Sequence, residues 1–371
     1  GTLIVTGSWD ETARVWDATT GELLHVLAHR AGATDYIPFV KFSPDGKWVL
    51  SEGMDWTVRL WDAATGTELK TLDADISLFS PRTSFNPEGA LLATIHSGDV
   101  HIWDTATWSE LHTLESAASP IETVTFSPNG KLIATASPDG AAQLWDATAG
   151  EKLHVLKGHE NWMRYVVFSP DGTQLLTVGC EEWVAGCRRS SAQLWDVETG
   201  ERIHVLQHPG QIYSAAFDPS GSQIITTGCD AIDKYGLCTI GAARLWDTMT
   251  GQEVHTLKGH TGLVEVGSFN PAGTLVVTGG EDGAARLWDV TTGSQLAVFE
   301  GHWGTISSVA FSPDGTEILT ASGDKTVRLW LIQPLTLEEL LEEADRRLGP
   351  LQLTDEECKR YFDDGISTCV R

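Results

Sequence analysis

Short runs of β-branched and apolar residues recur along the chain, each bounded by turn residues. Ile318-Leu319-Thr320-Ala321-Ser322 is one such run, with the composition that a pleated, buried strand favours. The runs come in a fixed order. A first strand ends in Phe-Ser-Pro-Asp-Gly, as at Phe42 to Gly46, Phe168 to Gly172 and Phe311 to Gly315. Pro-Asp-Gly is turn chemistry, because proline presets φ and glycine accepts a positive one. A second apolar run follows, then a third of the type Thr326-Val327-Arg328-Leu329-Trp330. A fourth begins after a Thr-Gly turn, as in Gly251-Gln252-Glu253-Val254-His255-Thr256-Leu257. The pattern therefore predicts a four-stranded unit repeated along the chain. One such sheet cannot bury both its faces alone, so successive units must stack.

The repeat is marked by Trp-Asp pairs at Trp16, Trp61, Trp103, Trp145, Trp195, Trp246 and Trp288, with Trp330-Leu331 where the next is due. Successive tryptophans lie 45, 42, 42, 50, 51, 42 and 42 residues apart. A period of this length with four short strands per unit is that of a propeller blade. The side chain is too bulky to expose eight times over, so the tryptophans are expected between blades. First-strand motifs number seven and tryptophan strands eight, and Gly1 to Gly7 reads as the second strand of a unit. The expectation is an all-β propeller over residues 1–332. Eight blades are favoured, the first without its inner strand and the last without its outer one. Seven blades with surplus N-terminal strands is the alternative. A start inside a blade implies further sequence upstream of Gly1.

These residues resemble the WD-repeat β-propellers over about 330 of the 371 residues. Gly158-His159, Gly259-His260, Gly301-His302 and, degenerately, Gln207-His208 each place a histidine nine residues before the phenylalanine of a first strand. Asp10, Asp55, Asp139, Asp282 and Asp324 each lie six residues before a repeat tryptophan. The resemblance implies a buried network of His, Asp, a strand Ser or Thr, and Trp. His260-Asp282-Trp288 and His302-Asp324-Trp330 carry a full set. The units ending at Trp103 and Trp145 have no matching histidine, and the former also lacks the aspartate. Those two units are expected to be less rigid. A His-Asp pair can suggest a general base, but one that recurs in unit after unit reads as scaffold.

Two adjacent units are longer than 42 residues, by 50 − 42 = 8 and 51 − 42 = 9. Both insertions fall between second and third strands and are bounded by cysteines, Cys180 with Cys187 and Cys229 with Cys238. Cys358 and Cys369 form a third local pair. Local disulfides fit best, since cysteines across a loop neck can meet the required Cα separation. Free thiols are the second reading. A zinc site shared by the four loop cysteines is the third, although the gaps exceed the short spacing of zinc knuckles. Disulfides would point to an oxidising compartment or a thermophile's cytosol. Propeller geometry, implied by the resemblance, puts the insertions on the face of the Gly-His loops. Tyr36, Trp162, Trp183, Tyr235 and Trp303 would gather there as interface anchors. Arg188, Arg189, Asp230, Asp233 and Lys234 would add polar contacts.

Beyond Trp330 the pattern changes. Thr336 to Glu339 forms a capping box, Leu337, Leu340, Leu341, Ala344 and Leu348 follow helical spacing, and Gly349-Pro350 ends the helix. A second helix from Thr354 carries Cys358, Tyr361 and Phe362 on one side. Residues 333–371 are thus expected to form an α-helical hairpin. This tail resembles the ends of bacterial signalling proteins that carry a WD-repeat sensor behind a STAND-type NTPase. The formal net charge of −26, from 25 basic and 51 acidic residues, argues against nucleic acid and anionic membrane as partners. No stretch approaches the ~20 apolar residues of a membrane helix. Phosphate loops, zincin motifs and nucleophile elbows are absent from the sequence, so no catalysis, metal or cofactor is expected. The expected role is a non-catalytic, protein-binding sensor or scaffold of a larger bacterial signalling protein, cytoplasmic and attached to an N-terminal effector. The alternative is a stand-alone, secreted scaffold stapled by disulfides.

Overall fold

A computed structural model describes residues 2–29, 36–75, 81–116, 119–183, 187–232 and 238–332. The side chains of Trp183 and Ile232 also lie outside the described set, as do Tyr235, Cys358, Cys369 and the whole predicted helical hairpin. The described residues form eight antiparallel sheets, each from consecutive strands. The middle six are four-stranded and the first and last three-stranded. Blade 1 comprises Leu3–Gly7, Thr12–Asp17 and Leu23–Ala28, the second to fourth strands of the repeat. Blade 8 comprises Ile306–Phe311, Glu317–Ser322 and Val327–Leu331, the first to third. Eight blades with these two incomplete is the arrangement the tryptophan count favours.

Seven apolar clusters hold the blades together, and each draws its residues from two consecutive sheets. One contains Leu176, Val178, Leu194 and Leu206 of blade 5 with Ile212, Ile224 and Trp246 of blade 6. Each repeat tryptophan from Trp61 onward packs against the preceding blade. Five of them, Trp61, Trp145, Trp195, Trp246 and Trp288, are buried, as expected for large apolar surfaces trapped between sheets. Among the described residues no apolar cluster joins blade 8 to blade 1.

Two hydrogen-bonding devices reinforce this stack. The aspartate after each of seven tryptophans accepts backbone N–H groups of the following turn, as Asp62 does from Ala64 and Thr65. This is an Asx turn, and in Asp62 the bonds hold the carboxyl below the usual range. In most blades the turn closes on a glycine at positive φ, such as Gly66 or Gly251. In blade 3 the non-glycine Trp108 takes that conformation and packs near Trp48, ring centroids 6.0 Å apart. Histidines of the fourth strands supply the second device. His25, His112, His154, His204 and His255 bond through Nε2 to the carbonyls of Ala64, Thr148, Glu198, Met249 and Thr291 in the next blade, at 2.7–3.0 Å.

The insertions lengthen two hairpins. Gln174–Trp183 pairs with Cys187–Asp196 and Gln223–Ile232 with Cys238–Asp247, ten residues per strand where the other blades have five or six in these strands. Cys180–Cys187 and Cys229–Cys238 are disulfide-bonded across the two necks, each with a Cα separation of 5.7 Å.

Candidate functional site

In all eight blades the tryptophan indole N–H donates to a hydroxyl on the second strand. The acceptors are Thr6, Ser51, Thr94, Thr135, Thr177, Thr226, Thr278 and Thr320, at 2.8–3.0 Å. In blade 7 the Thr278 hydroxyl meets His260 Nε2 at 2.8 Å, and His260 Nδ1 meets Asp282 at 2.9 and 3.0 Å. An ionised carboxylate only accepts, so Nδ1 carries the proton and Nε2 accepts from the threonine. Blade 8 repeats this with Thr320, His302 and Asp324, both histidine contacts being 2.8 Å. Despite its burial, Asp282 is held down to about 2 by His260 and two backbone N–H groups. Asp324 is lowered further by Thr326, His302 and the Trp303 N–H, against the opposing pull of burial.

Three further blades carry the network in forms that the regular residue spacing hides. His29 bonds Ser51 at 2.7 Å and Asp55 at 3.2 Å, although it lies thirteen residues before Phe42 rather than nine. Burial lowers its basicity, with Asp55 opposing. Glu181 replaces the aspartate in blade 5 and bonds His159 at 2.9 Å. In blade 6 Asp230 takes the Arg244 guanidinium at 2.6 and 2.7 Å, and Arg244 also donates to His208 Nε2 at 2.8 Å. Burial and Arg244 hold His208 down to about 4. Glu181 and Asp230 escape a search backward from Trp because the insertion lies between. Counted forward from the network threonine, the acid is always four residues on, from Thr177 to Glu181 as from Thr278 to Asp282.

Blade 3 has another tie in place of the missing pair. Glu52 of blade 2 is fully buried and accepts from the Arg82 N–H at 3.0 Å and the Thr83 hydroxyl at 2.6 Å. Burial raises its carboxyl, and the half-buried Lys41 beside it opposes that shift. Lys41 donates to the Thr83 carbonyl at 2.5 Å, and Arg82 pairs with Glu122 of blade 4. Blades 2, 3 and 4 are therefore joined by a partly buried polar chain, where the histidine pattern alone implies a looser blade. In blade 4 Trp145 still bonds Thr135, but Ser137 Oγ and Gln143 Oε1 are buried without a hydrogen-bond partner.

The networks also fix which loops share a face. Glu181 and Asp230 stand at the bases of the two disulfide hairpins, and Asp230 is thereby an internal ion-pair partner. Ser190 N–H bonds the Gly210 carbonyl, and the Gln211 side chain bonds the Cys187 carbonyl, so the blade 5 hairpin is tied to the top of blade 6. Trp303 follows His302 and is 81% exposed. Trp162 lines an open cleft of about 390 Å³ with Glu122, Pro138 and Asn161. Tyr36 is half-buried against Trp9, ring centroids 5.3 Å apart, and Arg188 is exposed on the blade 5 hairpin. Two anchors carry no sequence motif, Trp9 at 86% and Trp56 at 59% exposure, both in turns between second and third strands. Their adjacency to Asp10 and Asp55, the aspartates six residues before a repeat tryptophan, is the signal that places them here. Among the described residues no group of three His, Cys, Asp or Glu is placed to hold a metal ion.

The model of the WD domain, G-beta repeat, matches residues 1–17, 21–62, 108–146, 150–196, 200–232, 251–289 and 293–330. The chain belongs to the WD40 repeat family. The WD40 match skips 63–107, which holds most of blade 3, the blade without the family's histidine and aspartate, yet its four strands are present. No curated protein matches the chain. Its fold is similar to the crystal structure of the computationally designed Ika8 protein, with 23% identity and a TM-score of 0.72 over 90% of this chain and 94% of that one.

Proposed function

We propose that this WD40 propeller binds a protein partner on the face that carries the two disulfide hairpins. The observation that carries this reading is the exposure of Trp303 beside a buried, hydrogen-bonded network that holds its loop rigid. An indole left in water loses the gain of burial, about 25 cal/mol per Å², which a docked surface recovers. Stapled hairpins that rise from blades 5 and 6 lower the entropy lost on docking. WD40 propellers mediate protein interaction and scaffolding, and the −26 charge disfavours nucleic acid. On this reading the module senses or scaffolds within a larger bacterial signalling protein, with an effector N-terminal to it. The two disulfides favour a second setting, an independent scaffold in an oxidising compartment. Affinity capture with the full chain and with a Trp162→Ala/Trp183→Ala/Trp303→Ala variant tests the face. The variant is expected to lose the partners that the parent retains, and equal capture by both rejects it.

A further inference from the structure

The first strands of neighbouring blades touch one another, and several carry a bulge at one repeated position. The pairing skips Arg164 between Met163 and Tyr165, Tyr213 between Ile212 and Ser214, and Glu265 between Val264 and Val266. Each lies four residues before the phenylalanine that ends its strand, and Glu122 holds that position in blade 4. A bulge leaves its residue out of the ladder and re-aims the side chain. The bulges of blades 5 to 7 thus present Arg164, Tyr213 and Glu265 on the hairpin-bearing face, and Glu122 stands at the matching position, just before the unbulged first strand of blade 4.

These groups stand in very different electrostatic states. The Arg164 guanidinium lies 4.6 Å from the Tyr213 ring centre, stacked across the blade boundary. Glu122 pairs with Arg82 and borders the cleft beside Trp162. Glu281 accepts the Leu263 N–H at 3.0 Å. Glu265 is half-buried and bonded to no donor or cation among the described residues, with Glu281 as a like-charged neighbour.

We infer that this row of first-strand residues receives one basic side chain of the docked protein, an arginine or lysine, with Glu265 as its counter-ion and the Tyr213 ring beside it. The inference rests on the protein-binding reading of this face and adds the chemistry of the contact. Charge complementarity carries it. A half-buried carboxylate next to another carboxylate, in a chain of net charge −26, gains further from an incoming cation, because the nearby Arg164, stacked on Tyr213, offsets its burial and its like-charged neighbour only in part. Burial and Glu281 raise the Glu265 carboxyl, and Arg164 only partly offsets them. An acidic or apolar side chain would leave that strain in place.

A short random-peptide library selected against the full chain tests this directly. Binders are expected to share an Arg or Lys. Glu265→Gln should weaken them by at least about tenfold, while Glu151→Gln on a distant turn leaves them unchanged. The Glu265→Gln protein should melt no lower than the parent, because the change relieves like-charge repulsion. Binders that depend on Trp162 yet lack a shared basic residue and ignore Glu265→Gln would overturn the inference and leave the face standing. Binders indifferent to both Trp162→Ala and Trp303→Ala, or no binders at all, would overturn the face and the inference together.

Discussion

At the scale of single residues, the histidines separate what the repeat makes plain from what it hides. His260 and His302 stand at regular spacing from Asp282, Asp324 and their tryptophans, so their network is legible in the sequence. His29 and Glu181 are not, because a longer connection precedes one blade and an insertion interrupts another. Spacing measured along the chain fails wherever the chain lengthens outside the sheet, whereas the register within a strand does not. The acid four residues beyond the network threonine survives every insertion for that reason. His208 gives this network a measurable pH dependence. Its folded basicity is held down to about 4, whereas an exposed histidine titrates near 6.5. Between these values the unfolded chain takes a proton that the folded chain refuses. Stability is therefore full above about pH 6.5 and declines as pH falls toward about 4, by up to about 3 kcal/mol. His29, lowered in the same direction, adds to the decline. Denaturant unfolding of His208→Gln at about pH 7 and about pH 5 should show a smaller pH-dependent loss than the parent. Identical losses in the two proteins would mean that His208 is already charged in the folded state.

At the scale of elements, strand order and turn positions follow from the Phe-Ser-Pro-Asp-Gly and Thr-Gly motifs. Even blade 3, which lacks both His and Asp, forms its four strands. Its Trp103–Thr94 bond and apolar packing suffice, and the Glu52–Arg82–Glu122 chain replaces the missing tie. That chain was not legible, since a buried Glu on a second strand looks like any solvated carboxylate until its partners on the next blade, Arg82 and Thr83, are known. The cysteine spacings left disulfides, free thiols and zinc open, and strand register decides between them. Bridges of seven and nine residues' separation across the two necks stabilise their hairpins by about 2–3 kcal/mol each on loop-entropy grounds. Cys180→Ser/Cys187→Ser is expected to lower the melting temperature by only a few degrees. Its hydrogen exchange should quicken at the hairpin strands and stay unchanged in blades 1 to 3. A global loss of protection would make the bridge part of the propeller core.

At the scale of the whole molecule, eight sheets share one construction, and function is carried by where they differ. Seven apolar interfaces and repeated Trp-to-hydroxyl bonds build a rigid frame. The exceptions to the repeat, two stapled hairpins, bulged first-strand residues of mixed charge and exposed indoles, collect on the face where the His networks end. Fold and repeat count could be read from the tryptophans alone, but the face could not. Its composition depends on loops that the repeat does not constrain. The most direct measurement is the hydrogen-exchange footprint of a bound protein or selected peptide on the full chain. Protection is expected at Asn161 to Arg164, the two hairpins and the loop around Trp303. Protection confined to the fourth strands, or to the Asx turns that follow each tryptophan, would place the binding surface elsewhere and contradict that expectation.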